Sequence, residues 1–220
     1  MIKKILFQGD SVTDAGRSRD TKAANTGLGS GYVARIASEL LYKDPSLEIY
    51  NRGVSGNRIG DMYARWIEDT LNIAPDLLSV LNGINDVGFG LRLGMGSDAA
   101  RFEYIYDRCL YEAREKNPAL ALVIIEPFIL RVSKPWAEFG DDIYTNFSEW
   151  HTVVSERAEV CRRLAEKYKA VFVPMQKEMD NACLRAPAEH WSLDCIHPTH
   201  AGAEIMAREW LKATSHLLSF

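Results

Sequence analysis

Five short apolar runs, at residues 2–7, 47–50, 76–81, 119–125 and 171–173, alternate with longer stretches whose apolar residues recur at helical spacing. Strands separated by helices rather than by tight turns pair in parallel, and a parallel sheet needs helices on both faces. The alternation predicts an α/β chain with a parallel sheet sandwiched by helices. The run at 119–125 is apolar enough for a central strand buried on both sides. Val33, Ile36, Ala37, Leu40 and Leu41 line one face of a helix over 32–42, and Met62, Trp66, Ile67 and Leu71 mark a second. A third helix spans about 98–116 and stops at Asn117-Pro118, as helices do before proline. Further helices are expected over 144–168 and 176–184, and a last one from about Thr199. Residues 127–142 read as an irregular insertion carrying Phe128, Trp136 and Phe139.

With 220 residues, 47% of them apolar, the chain can bury one full core, and residues 1–220 are expected to form a single domain. A net charge of −4, with scattered Lys and Arg, leaves no electrostatic footprint for nucleic acid or a polyanion. The amino terminus starts like a secretory signal, but Gln8-Gly9-Asp10 breaks its apolar stretch too early. No run approaches the ~20 residues that span a bilayer. Cys109, Cys161, Cys183 and Cys195 form no Cys-x-x-Cys pair, which fits reduced thiols rather than a zinc or thioredoxin-type site. The expectation is a soluble, cytoplasmic protein without membrane contact.

Polar and glycine-rich clusters follow the strands, at the rim where open α/β sheets bind ligands. Gly9-Asp10-Ser11 closes the first strand, Asn51 to Arg58 the second and Asn82-Gly83-Ile84-Asn85-Asp86 the third. Near the other end, Asp194-Cys195-Ile196-His197-Pro198 sets an acid three residues before a histidine. A serine nucleophile needs a base, and the base needs a partner to hold its tautomer. Ser11, His197 and Asp194 are the right types. The oxyanion of ester hydrolysis needs fixed donors, which the Ser11 N–H, the Gly53 N–H and the Asn85 amide would supply. Gly53 equally suits a turn needing positive φ, and Asn85 a helix cap or Asx-turn. Asp10 and Asp86 are expected to brace their loops, and His151, His190, His200 and His216 to be surface or structural residues.

These four blocks, Gly9 to Asp14, Gly53 within 51–57, Gly83 to Asp86 and Asp194 to Pro198, resemble those of the SGNH (GDSL) hydrolases in order and spacing. The resemblance implies Ser11 as nucleophile, His197 as base, Asp194 as its partner, and Ser11, Gly53 and Asn85 as the oxyanion hole. It also implies a three-layer α/β/α sandwich on a five-stranded parallel sheet of flavodoxin-like order 2-1-3-4-5. No metal and no organic cofactor is implied. Asp14-Ala15-Gly16-Arg17, Gly31-Tyr32-Val33 and the fuller second and third blocks are similar to bacterial carbohydrate acetylesterases. Val12 and Ser192-Leu193 depart from that narrower pattern. The implied substrate is a small acetylated sugar or oligosaccharide, with Asp14 and Arg58 at the pocket and Trp136, Phe139 and Trp191 available to stack on sugar faces. A lysophospholipase or thioesterase is the alternative with the same groups; a flavodoxin-like anion binder would leave Asp194 and His197 without a task. The apolar tail, Trp210, Leu211, Leu217, Leu218 and Phe220, together with the acetylesterase resemblance, points to a homo-oligomer.

Overall fold

The computed structural model describes residues 2–20, 23–133 and 142–218. Trp136, Phe139 and Phe220 lie outside them. The chain runs β1 (Lys4–Gly9), α1 (Ser11–Asp14), α2 (Tyr32–Lys43), β2 (Glu48–Asn51), α3 (Ile59–Ala64), a π-helical turn (Ile67–Leu71), β3 (Leu77–Leu81), α4 (Ile84–Leu93), α5 (Ala99–Lys116) and β4 (Ala121–Ile125). It continues with α6 (Asp142–Thr145), α7 (Phe147–Tyr168), β5 (Val171–Val173), α8 (Met175–Cys183), α9 (Ala188–Trp191) and α10 (His200–Thr214).

The five strands pair in parallel in the order β2-β1-β3-β4-β5. Successive strand residues point to opposite faces, so β1 serves two cores at once. Ile5 and Phe7 join α2, α8 and α10 on one side, around Ile36, Met179 and Trp210. Leu6 joins α3, α5 and α7 on the other, around Met62, Tyr106 and Cys161. This is the α/β/α sandwich. Phe7 packs edge-on to Tyr32 at 5.9 Å and against Trp210 at 5.2 Å, and the buried Trp210 Nε1 donates to Ser79 Oγ at 2.9 Å. Among the described residues, no helix is long and apolar enough to cross a membrane.

Trp210 is fully buried in the chain's own core, with the half-buried Leu211, Leu217 and Leu218 packed against that core. Two expectations are corrected here. The second helix does not carry its apolar stripe through. It ends at Ala64 and widens into the π-turn, where Asn72 N–H reaches Ile67 O at 2.9 Å and Ile67 is left 66% exposed. The buried Gln8 amide takes the Asp69 carbonyl and the Thr70 hydroxyl at 2.9 and 2.8 Å, which draws that turn toward the sheet. Finally, residues after Gly83 form helix α4 rather than a loop.

Candidate active site

Ser11 stands at the first turn of α1, immediately after β1. Asp10 caps that turn, its Oδ1 accepting the Val12 N–H at 3.0 Å. The Ser11 N–H, in the first turn, has no intrahelical acceptor. The loop 192–198 is pinned by a bridge between Ser192 and Pro198 and by Leu193 N–H donating to His197 O at 2.8 Å. Within it Asp194 divides its oxygens. Oδ1 accepts the N–H groups of Ile196 and His197 at 3.0 and 2.7 Å, while Oδ2 meets His197 Nδ1 at 2.7 Å. Cys195 turns the corner at φ +76°, a conformation costly for a residue with a side chain and held here by those two bonds. The imidazole's other nitrogen, Nε2, lies 2.7 Å from Ser11 Oγ. Hydroxyl, imidazole and carboxylate thus form one continuous chain of hydrogen bonds, the arrangement that activates a serine toward a carbonyl.

Burial pulls the His197 pKa down, but the hydrogen bond and charge of Asp194, joined by the charge of Asp10, outweigh it and leave it raised. Burial pushes Asp194 up, and its bonds to His197 and to the loop backbone outweigh that and hold it below the usual carboxylate range. Two more carboxyls sit behind the site. Burial pushes Asp10 up to about 7 against the Val12 N–H, and Asp86 up to about 6 against the Ile59 N–H, which Asp86 Oδ2 accepts at 2.8 Å. Asp10 braces its own turn, as expected, whereas Asp86 lies in α4 and braces the start of α3. Burial also raises the Cys195 thiol, the opposite of what a nucleophile needs.

Two cavities open on either side of Ser11 and His197, of about 420 and 280 Å³. The larger lies between α2 and α10, against Val12, Tyr32, Leu193, His200 and Met206. The smaller is lined by Gly56, Asn85, Phe89, Arg92 and Trp150. Asn85 reaches it from the first turn of α4, one amide hydrogen donated to Asn57 O at 3.1 Å and the other without an acceptor among the described residues.

Gly53 is not where an oxyanion donor would have to be. It is buried, its N–H donates to Asn51 Oδ1 at 2.9 Å, and it lines neither cavity. A Cβ there would lie 2.4 Å from Asp14 N, so glycine is required for close packing against the Ser11 segment, not for a positive φ. The residue that reaches the cavity is Gly56, three positions on, whose N–H has no partner among the described residues. The expected pocket residues are corrected as well. Asp14 is buried, its carboxylate taken by Arg19 at 2.8 Å and by backbone N–H groups. Arg58 is paired with Asp61 at 2.8 Å and lies 5.6 Å from the Phe89 ring, and it is Phe89 that lines the cavity. Trp191 is buried, its Nε1 donating to Ala186 O at 3.1 Å, and it lines neither cavity. His200, expected to be a surface or structural residue, is exposed, borders the larger cavity and shares a 3.1 Å contact between Nδ1 and Arg35.

Comparison with known proteins bears on the family and the fold. A model of the GDSL-like lipase/acylhydrolase family matches residues 7–205. An acetylxylan esterase from Geobacillus stearothermophilus is 31% identical over 215 residues, covering 96% of this chain and 93% of that protein. Its crystal structure matches with a TM-score of 0.83 at 27% identity, over 96% of this chain and 93% of that one. A structure from Parabacteroides merdae, described as a GDSL-like lipase, matches with a TM-score of 0.87 at 37% identity, over 97% and 95% of the two chains. An α/β hydrolase from the metagenome of Lake Arreo, Spain, reaches 0.83 at 26% identity, over 99% and 97%. A family match along nearly the whole sequence, on a sheet of the same build, settles the kinship: the chain belongs to the GDSL-like lipase/acylhydrolase family and is a carboxylic ester hydrolase.

Proposed function

We propose that this esterase removes acetyl groups from a sugar or short oligosaccharide through an acyl-serine intermediate. The observation that carries the reading is the pair of 2.7 Å contacts linking Asp194 Oδ2, His197 and Ser11 Oγ. Ser11 Oγ attacks the ester carbonyl while His197 Nε2 accepts its proton. The developing oxyanion faces the N–H groups of Ser11 and Gly56 and the free amide hydrogen of Asn85, each such donor worth on the order of 3 to 4 kcal/mol of barrier. The sugar alcohol departs with the proton from His197. A water then loses a proton to the same imidazole, attacks the acetyl-serine and releases acetate. No step calls on a metal or an organic cofactor.

Support for a carbohydrate comes from the relatives. The Geobacillus protein is an acetylxylan esterase, and two of its solved forms are catalytic mutants. Phe89 and Trp150 add aromatic surface to the smaller cavity. The test is acetate release from acetylated xylo-oligosaccharides beside a series of 4-nitrophenyl esters of rising acyl length. Acetyl should be the best acyl group and the oligosaccharides should turn over. A rate that climbs with chain length while the oligosaccharides stay intact would transfer the site to the lysophospholipase or thioesterase reading.

The electrostatics fix the sign of the pH dependence. His197 must be neutral to accept the serine proton, so kcat/KM falls about tenfold per unit below its pKa. Because that pKa is raised above the usual histidine value of about 6.5, the acid limb should already be visible near neutral pH. A rate constant flat from pH 5 to 8 would exclude His197 as the base.

A further inference from the structure

Residues Val54 to Asn57 form a turn closed by Asn57 N–H to Val54 O at 3.1 Å, with Gly56 at φ +82°. A positive φ at the third position is the mark of a type II turn. Types I and II close with the same hydrogen bond and differ by a flip of the central peptide, here the Ser55–Gly56 peptide, which carries the Gly56 N–H. Flipping it would turn that donor to the other side of the turn without breaking the closing bond. The closing bond therefore does not by itself place that donor against Ser11; that depends on what holds the turn as a whole to the Ser11 segment.

The entry to the turn is held from the segment that carries Ser11. Asp14, the last residue of α1, accepts the Ser55 N–H at Oδ2 over 3.0 Å, and the same oxygen takes Arg19 at 2.8 Å. Its Oδ1 receives the Arg17 N–H at 3.2 Å, and the Arg17 side chain donates to Gly53 O. The exit is held too. Asn57 O accepts the amides of Asn82 and Asn85 at 3.2 and 3.1 Å, and Asn57 Oδ1 accepts Arg65 Nε at 2.7 Å. Among these anchors Asp14 is the one that ties the Ser11 helix directly to the turn.

We propose that Asp14 is a positioning residue for ester hydrolysis: by holding the Ser55 N–H it fixes the 54–57 turn against the segment that carries Ser11, and so sets the place of the Gly56 N–H relative to the Ser11 hydroxyl. This rests on the ester-hydrolysis reading above and adds a residue that touches neither substrate nor His197. It acts on the transition state alone, because the oxyanion exists only there.

The test compares Asp14→Ala, Asp14→Asn and Arg19→Gln on 4-nitrophenyl acetate, with active sites counted from the nitrophenol burst. Asp14→Ala should lower kcat per titrated site by about 10²-fold with little change in KM, and weaken a boronic acid that forms the tetrahedral adduct in the same proportion. Asp14→Asn keeps a carbonyl oxygen for Ser55 and should retain activity within about tenfold. Arg19→Gln, which removes only an exposed partner, should lose about two- to fivefold. A merely bracing role would lower the melting temperature or the titrated fraction and leave kcat per site and boronate affinity unchanged in all three, which overturns the proposal; so does a loss that falls on KM. If Asp14→Ala does not fold, the boronate affinities of the other two decide by the same rule. A parent enzyme inert toward acetyl esters would fault the esterase chemistry itself, whereas an active parent with unaltered variants faults only the role of Asp14.

Discussion

Replacing Ser11 with alanine is expected to lower kcat for acetyl-ester hydrolysis by about 10⁵- to 10⁶-fold, the loss seen when one member of a serine–histidine unit is removed. No neighbouring group stands in for it. Cys195, the nearest thiol in sequence, is fully buried and its pKa is raised, so it offers little thiolate. The fold should be untouched, because Ser11 Oγ makes its contact with His197 Nε2 and holds no backbone together, whereas the cap on α1 comes from Asp10. His197→Ala should fall to the same floor, since hydroxyl and imidazole act as one unit. The measurement is kcat for both variants beside a thermal melt. A Ser11→Ala protein that melts like the parent and keeps more than about a hundredth of its rate would remove Ser11 from the mechanism.

The sheet and the juxtaposition of Ser11, His197 and Asp194 were legible because both follow from local rules. Strand runs such as 119–125 are apolar without interruption, as strands covered on both faces must be, and polar clusters sit at strand ends because backbone turns there. Asp194 and His197 could be paired from sequence because three residues of loop suffice to bring a carboxylate onto the following imidazole. What could not be read depended on packing at a distance. Helix α4 contains Gly88 and Gly90, which sequence propensity treats as loop residues. Its Gly88 is small because the Trp150 ring of α7 lies over it, 2.9 Å from where a Cβ would stand. Gly53 and Gly56 differ in that the Gly53 N–H is taken by Asn51 Oδ1 while Gly56 borders the cavity, and composition carries no sign of that. The one available clue was position: Gly56 is the third residue of a four-residue turn, where a positive φ is needed. Trp191 and Trp210 were assigned outward because they are apolar and near the site or terminus. Both turn inward because α10 has to cover the β1 face, and their rings fill that space. Trp150, buried on α7, also borders the smaller cavity.

Asp194→Asn separates charge and tautomer from shape. The asparagine carbonyl can still accept the N–H groups of Ile196 and His197, so the corner at Cys195 keeps its support. Its amide nitrogen then faces His197 Nδ1 and donates where the carboxylate accepted. Nδ1 becomes the bare nitrogen and the proton moves to Nε2, the atom 2.7 Å from Ser11 Oγ that must be empty to receive the serine proton. Ground-state geometry survives while the base is blocked, and kcat should drop by about 10⁴-fold. The pH profile should change with it. Asp194 is what raises the His197 pKa against burial; without its charge, burial dominates and the acid limb should move to lower pH, while the plateau sits far below the parent's. Asp194→Ala should lose at least as much rate and also melt earlier, because it releases the two loop N–H groups. If Asp194→Asn instead kept a rate within about tenfold of the parent, with its acid limb unmoved, the carboxylate would be serving only to hold the 194–197 loop, and the base would have to draw its orientation from elsewhere.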